Sequence, residues 1–494
     1  GGADSLRLDG SVAGSGSLTK TGAGSLWLTQ ANTHTGGTAL EGGTLFAADD
    51  QAFGTGTLVL GGGTLRSDGN ARTFANDVSL TATSTVASDA ALTFTGVVSG
   101  AGALVKTGTG VLFLTQANTY SGGTTLSGGF AEFTALANFG TGAIRLDGGG
   151  LRWATGSSAD VSSRLSLFGP GNVTLDTNGN DVTFASSVVG ENAPDASFTK
   201  AGNGTLTLAV ANNFNRAIRI AGGTLAIGND EALGSNTIRL AGGALISTGG
   251  AHTLDNTFEL DADSSVGGDS DLTLHGVIGY GTQQHALTKI GSGTLTLTGE
   301  NFHRGMRLEA GTLVGSNAYA FGDSYIDLAG GTLQVTGLMD TLYNPLYLTG
   351  DAAIGGSSNF TIVSAISGSS ASALLRKTGT NTLTLAGANT YAGNTRLESG
   401  TLVVAADGAL GTGTLILAGG ALRGDGTART LDNSVDLLLP DYNFGGNSDL
   451  TFTGALHNQS GRDLTLTFDN PGQTSFGGAV LSNSATARTL TLTG

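Results

Sequence analysis

The chain contains no cysteine, so it has no disulfide framework, no thiolate metal site and no thiol nucleophile. Proline occurs only 5 times in 494 residues, and charged residues make up 12%. No apolar run approaches the ~18 residues of a membrane helix, and helical periodicity is missing throughout. Lysine occurs five times, at Lys20, Lys106, Lys200, Lys289 and Lys377. Cations so sparse and scattered, in a chain of net charge -16, argue against nucleic acid or an anionic membrane surface as a partner, since both demand clustered Lys and Arg.

Glycine, in contrast, is abundant, with 84 residues. It lacks the every-third-residue spacing of collagen, so it punctuates turns. Hydrophobic residues reach 39% and are patterned, which suffices to bury a core. Short runs of Leu, Val, Thr and Phe alternate apolar with polar residues between glycine pairs and read as strands and turns. In 25–29 the alternation puts Leu26 and Leu28 on one face and Trp27 on the other; in 294–298 it pairs Leu295 with Leu297. The Gly-Gly pairs at 42, 62, 222, 242, 330 and 419 precede the next strand, where positive φ turns the chain tightly.

The lysines mark a repeat. LTKTGAGSLWLTQANTHTGG at 18–37 returns as LVKTGTGVLFLTQANTYSGG from Leu104, FTKAGNGTLTLAVANNFNRA from Phe198, LTKIGSGTLTLTGENFHRGM from Leu287 and LRKTGTNTLTLAGANTYAGN from Leu375. The lysines are 86, 94, 89 and 88 residues apart, a period that outranks any single motif. Such units bury their apolar faces only by stacking on their neighbours. Each unit holds four stretches in fixed order: the lysine stretch, a GGTL rung, a stretch such as LGTGTLILAGGALR from Leu410, and a pair such as ARTLDNSVDL from Ala428 with FGGNSDLTFTG from Phe444. Four stretches in ~90 residues predict about 22 residues per turn, the rung of a parallel β-helix and too little for a propeller blade. The expectation is one all-β domain over 1–494, a single-stranded right-handed parallel β-helix of about 22 rungs on the order of 100 Å long. Its super-repeats fall at 17–102, 103–196, 197–285, 286–373 and 374–486, with a further copy beginning at 487–494. TLTLTG at 489–494 repeats 294–299 letter for letter, so the protein is expected to continue or to carry a cap. GGADSLRLDG at the amino terminus is no signal segment, so a signal is expected to have been removed or more chain to precede it.

The pattern K-T-G-x-G-x-L-x-L-x-x-A-N-T-Y, followed by G-G-T and then G-G-T-L, resembles the passenger-associated repeat of autotransporters, the type V secretion family of Gram-negative bacteria, and pertactin-like β-helices among them. Ala201, Ile290 and Asn381 depart from the motif. The resemblance covers nearly the whole chain. It implies a right-handed β-helix exported through periplasm and outer membrane and displayed or released at the cell surface. It also implies a carboxy-terminal outer-membrane barrel beyond this segment, which itself does not insert in the membrane. The function implied is binding without catalysis: adhesion, virulence or immune evasion through a host surface or serum protein, or self-association. The alternative is the stalk of a secreted protease or esterase whose catalytic domain lies outside this chain. A polysaccharide-cleaving β-helix would need Asp, Glu, Arg or Lys gathered in one groove, whereas the acids here are scattered.

Among short motifs, Arg423-Gly424-Asp425 is the most tempting, because an exposed RGD loop is an integrin ligand in some surface proteins, pertactin-like passengers included. Against it, ALRGDGTAR from Ala421 aligns with TLRSDGNAR from Thr64, where the loop persists with Ser67 in place of the glycine. Gly268-Asp269-Ser270 and Gly322-Asp323-Ser324 have the GDS of serine hydrolases. They align with ordinary repeat segments and have no strand-turn-helix context for a base or oxyanion hole, so no catalytic residue, cofactor or metal is expected. The six histidines, at 34, 252, 275, 285, 303 and 457, have no ligand spacing, and His34 and His303 are expected in solvated turns. Asn32, Asn118, Asn212, Asn301 and Asn389 are expected to serve turns through positive φ. Function on a solenoid sits where the repeat breaks, which singles out 164–174, 188–197, 337–348 and 438–444. Their candidate contact residues are Tyr343, Tyr347, Tyr442 and Phe444, alongside Arg423, Gly424 and Asp425. The competing reading is that these segments cover rung edges.

Overall fold

The computed structural model describes residues 4–190, 196–213, 215–281, 283–337, 339–446, 448–469, 472–482 and 487–494. Of the expected segment 188–197, residues 191–195 thus lie outside the described residues. The fold is an all-β parallel β-solenoid of about 23 turns. It divides into two compact units, Gly1–Ala244 and Leu245–Gly494. Among the described residues the helical pieces are two 3-10 turns, Leu136–Phe139 and Ser162–Arg164.

In the first unit a turn of chain supplies one strand to each face. Leu18–Lys20 and Ser25–Leu28 lie on adjacent faces, and the next turn repeats them as Thr38–Leu40 and Thr44–Ala47. Pairing is parallel and steps by about one turn, with Leu18 opposite Thr38 and Ser25 opposite Thr44. One sheet of this unit has 10 strands and another has 5. The expected alternation holds: Leu26 and Leu28 are buried while Trp27 is half-exposed. Register then turns the period-2 pattern into inward ladders, one of which runs Leu26, Leu45, Leu65, Val86, Lys106, Leu126, Leu146, Leu167. Burying each leucine stabilises the stack by roughly 1.5–3 kcal/mol, and Phe53, Phe74 and Phe94 extend the same logic with tilted rings 4.7 and 6.0 Å apart.

The second unit is built alike, with sheets of 12, 8 and 3 strands within it. Its ladders include Val266, Lys289, Leu308, Leu328, Leu348 and Ile354, Lys377, Leu397, Leu417, Leu437. Leu295 and Leu297 are buried, as their alternation requires. Tyr442 and Phe444 point inward too, packed with Phe452, Phe468 and Phe476. This corrects their expected place at a contact surface. The strand Asp441–Gly445 alternates, so Asp441 and Asn443 face outward and the two rings fill the core.

Candidate functional site

Each lysine of the repeat occupies a leucine position in an inward ladder, and all five are buried. A lone ammonium in such a place would be strongly destabilising. Here it is held by backbone carbonyls at the adjoining turn. Lys289 Nζ donates to Ile290 O at 2.8 Å, Gly291 O at 2.8 Å and Ala310 O at 3.0 Å. Lys20, Lys200 and Lys377 repeat the cage on the residues one and two ahead and on the next turn. Lys106 adds a fourth, distant carbonyl. Burial pulls the ammoniums of Lys106, Lys200, Lys289 and Lys377 down to about 8. The second glycine of the GGTL rung has a reason here beyond its positive φ. A Cβ on Gly311 would stand 2.7 Å from Lys289 Nζ, and one on Gly400 2.7 Å from Lys377 Nζ. The lysine and the glycine that follows it by about 22 residues are two halves of one cage.

The asparagine corner is a clamp. Asn389 Oδ1 accepts the Ile366 N–H of the turn before, and its Nδ2 donates to Ala409 O of the turn after. Asn32, Asn118, Asn212 and Asn301 do the same for Val12 and Ala52, Val98 and Asn138, Val188 and Ala232, and Ile278 and Ala320. One amide thereby satisfies a donor and an acceptor that a solenoid corner would otherwise leave unpaired. The positive-φ expectation is replaced by this finding, because Asn178 is the non-glycine residue with positive φ among those described.

Two residues further on, the corner buries a polar aromatic. Tyr120 and Tyr391 bond their hydroxyls to Thr124 and Thr395, and His34 Nε2 lies 3.0 Å from Thr38 Oγ1. In the fourth copy Met306 pairs in register beyond Gly305, no threonine follows, and His303 Nδ1 instead donates to Gly305 O at 3.0 Å. His34 and His303 are therefore buried rather than solvated, because the ring replaces a tyrosine of the core. Each keeps one ring nitrogen without a partner, Nδ1 in His34 and Nε2 in His303. Burial lowers His303 to about 4.

The remaining candidates lie on the outside. Arg423, next to last in the strand Ala421–Gly424, has its side chain exposed. Asp425 is held by Arg429, whose Nε and Nη2 donate to its two oxygens at 3.1 and 2.7 Å. That guanidinium keeps the Asp425 carboxyl below the usual carboxylate range. Asp68 and Arg72 form the same fork at 3.0 and 2.7 Å in the loop that lacks the triplet. Tyr343 is 64% exposed and Tyr347 44%, the latter edge-on to Tyr325 at 5.5 Å between ring centres. The structure thus separates Tyr343 and Tyr347 from the buried Tyr442 and Phe444. Sequence reasoning passed over Phe302 and Tyr319, 42% and 57% exposed. The signal was available, since each flanks a clamp or turn position instead of an alternating strand position. Ser270 and Ser324, of the two GDS triplets, sit half-buried in turns, and the Ser324 carbonyl is taken by the Asn344 amide.

Known proteins match parts of this sequence. Residues 18–45, 104–130, 198–227, 287–314 and 375–404 match the passenger-associated-transport-repeat family, so every copy of the lysine cage lies in a matched segment. The chain is 30% identical over 230 residues to the adhesin BmaC autotransporter of Brucella suis biovar 1 (strain 1330), an alignment covering 42% of this chain and 6% of that protein. The chain therefore spans a small fraction of the relative it matches. No solved structure matches it. The five transport repeats, the parallel solenoid they build and the likeness to an autotransporter adhesin all fit an autotransporter passenger.

Proposed function

We propose that the chain works as an adhesin-type passenger, displayed at or released from a bacterial surface, which holds a host protein or cell surface, or another copy of itself, without chemistry of its own. The likeness to a protein named an adhesin, over 230 residues, is the observation that carries this reading. The architecture is consistent with it. The recurring polar groups are consumed inside the solenoid, the lysines by carbonyls and the asparagines by neighbouring turns, which leaves the outward turns as the variable part. Contact falls on outward side chains such as Tyr343 and Tyr347, and not on Arg423-Gly424-Asp425. To serve as a ligand, Asp425 would first have to leave Arg429, and the same fork at Asp68 shows it to be a feature of the repeat.

Beads coated with the purified chain test the proposal on cultured epithelial cells and on one another. Adherence or clumping above that of beads coated with an unrelated β-solenoid is expected. Beads that neither adhere nor clump would sink the reading.

A further inference from the structure

Resting on that reading, we infer that the partner is engaged through a cationic, extended protein segment that docks across the turns carrying Phe302, Tyr319 and Tyr343 in the second unit. Three successive turns meet there. Asn301 N–H donates to Tyr319 O and Asp323 N–H to His303 O, joining the first turn to the second. Asn344 Nδ2 donates to Gly322 O and Ser324 O, joining the second to the third. The three turns are therefore contiguous, spanning about 10 Å at the spacing of paired strands, the length of three or so residues of extended chain. They expose three large aromatic side chains, with Tyr343 and Tyr319 the most open. Large exposed aromatics on consecutive turns mark an interaction surface.

The charge around the patch selects the occupant. Glu300, Asp323 and Asp340 are exposed on the same three turns, and Arg304 stands beside Phe302. Across the chain the surface is more acidic than its net charge suggests. Of the 22 Lys and Arg side chains, five lysines and Arg216 are interior, which leaves 16 outside against the 36 Asp and Glu among the described residues. No acid is buried among the described residues. Guanidinium or ammonium groups of a partner can lie over the tyrosine faces and pair with the carboxylates between them. A second copy of this chain, or an anionic lipid surface, brings the wrong sign of charge.

The test measures binding of a fluorescent nona-arginine peptide to the full chain by anisotropy, beside the bead adherence assay. Wild type is expected to bind the peptide, and Tyr319→Ala/Tyr343→Ala to weaken it at least tenfold while keeping the thermal unfolding of the parent. Asp323→Asn/Asp340→Asn is expected to weaken binding severalfold more than Glu41→Gln/Glu231→Gln, which removes equal charge from exposed positions elsewhere. Absence of peptide binding, or equal weakening by the two charge pairs, overturns the inference. So does loss of clumping in the tyrosine variant with peptide binding intact, which would assign the patch to a second copy. If the tyrosine variant loses peptide but adheres fully, the partner docks elsewhere, so this inference falls while the adhesin reading stands. If wild-type beads neither adhere nor clump, the adhesin reading falls and the patch loses its role.

Discussion

The lysine corner and the asparagine–aromatic corner each recur five times, yet one is constant and the other drifts. Lysine stands at all five positions of the first corner. At the second, the position two after the asparagine carries His34, Tyr120, Phe214, His303 and Tyr391 in chain order, of which Phe214 lies outside the described residues. The difference follows from what each group must satisfy. The first corner presents three inward carbonyls, and only an ammonium on a long flexible stem brings three donors to one point. The second asks for a flat ring with at most one hydrogen bond, to a threonine hydroxyl as in Tyr391 or to a carbonyl as in His303. Many side chains meet a demand for volume, while few meet a demand for three donors.

Lys289→Met should break the comparison most visibly. It keeps the stem and strands the carbonyls of Ile290, Gly291 and Ala310, for an expected loss of about 3 kcal/mol or more, read from the urea midpoint. A loss below ~1 kcal/mol would mean that the cage is dispensable and that the lysine is constant for another reason.

His303→Phe, the residue the third copy uses at that place, sharpens the contrast through pH. Unfolded, the imidazole protonates near ~6.5, and folded it resists until about 4 because burial disfavours the charge. As pH falls from ~6.5 toward 4, protons bind the unfolded chain first. The stability present above ~6.5 is lost over that window, by up to about 3 kcal/mol at its end. The variant should lose that share of the acid sensitivity and change little at neutral pH. Parallel slopes for parent and variant between pH 6.5 and 4 would refute the assignment.

Tyr391→Phe should have a smaller effect, about 1 kcal/mol, because Thr395 Oγ1 still donates to Leu410 O. A loss as large as that of the lysine variant would erase the distinction between the two corners. Asp425→Ala is the mildest. It breaks a fork on the surface, and the expected change is below ~1 kcal/mol, with bead adherence unaltered. A clear drop in adherence would restore the RGD loop as a contact.

Much of this was readable in the letters. Leu26, Leu28, Leu295 and Leu297 alternate with polar neighbours, and the lysine spacing set the turn length to within a few residues. The inward direction of Tyr442 and Phe444 was equally readable from D-Y-N-F at 441–444, but the neighbouring Pro440 made the segment look irregular. The burial of His34 and His303 was hidden, because a histidine in a polar turn and one replacing a core tyrosine look alike until the turn is closed. The exposed trio of Phe302, Tyr319 and Tyr343 was hidden for a related reason. The three residues stand 17 and 24 positions apart in the chain and come to lie on adjoining turns only through turn-to-turn hydrogen bonds.

The chain's own letters determined strands, turn length and stacking, because period-2 alternation and regularly spaced glycines act locally and repeat without reference to the rest of the molecule. Which polar groups end up inside, and which aromatic residues share a surface, was decided by the tertiary structure alone. Both depend on register between successive turns, which brings residues about twenty positions apart within hydrogen-bonding distance.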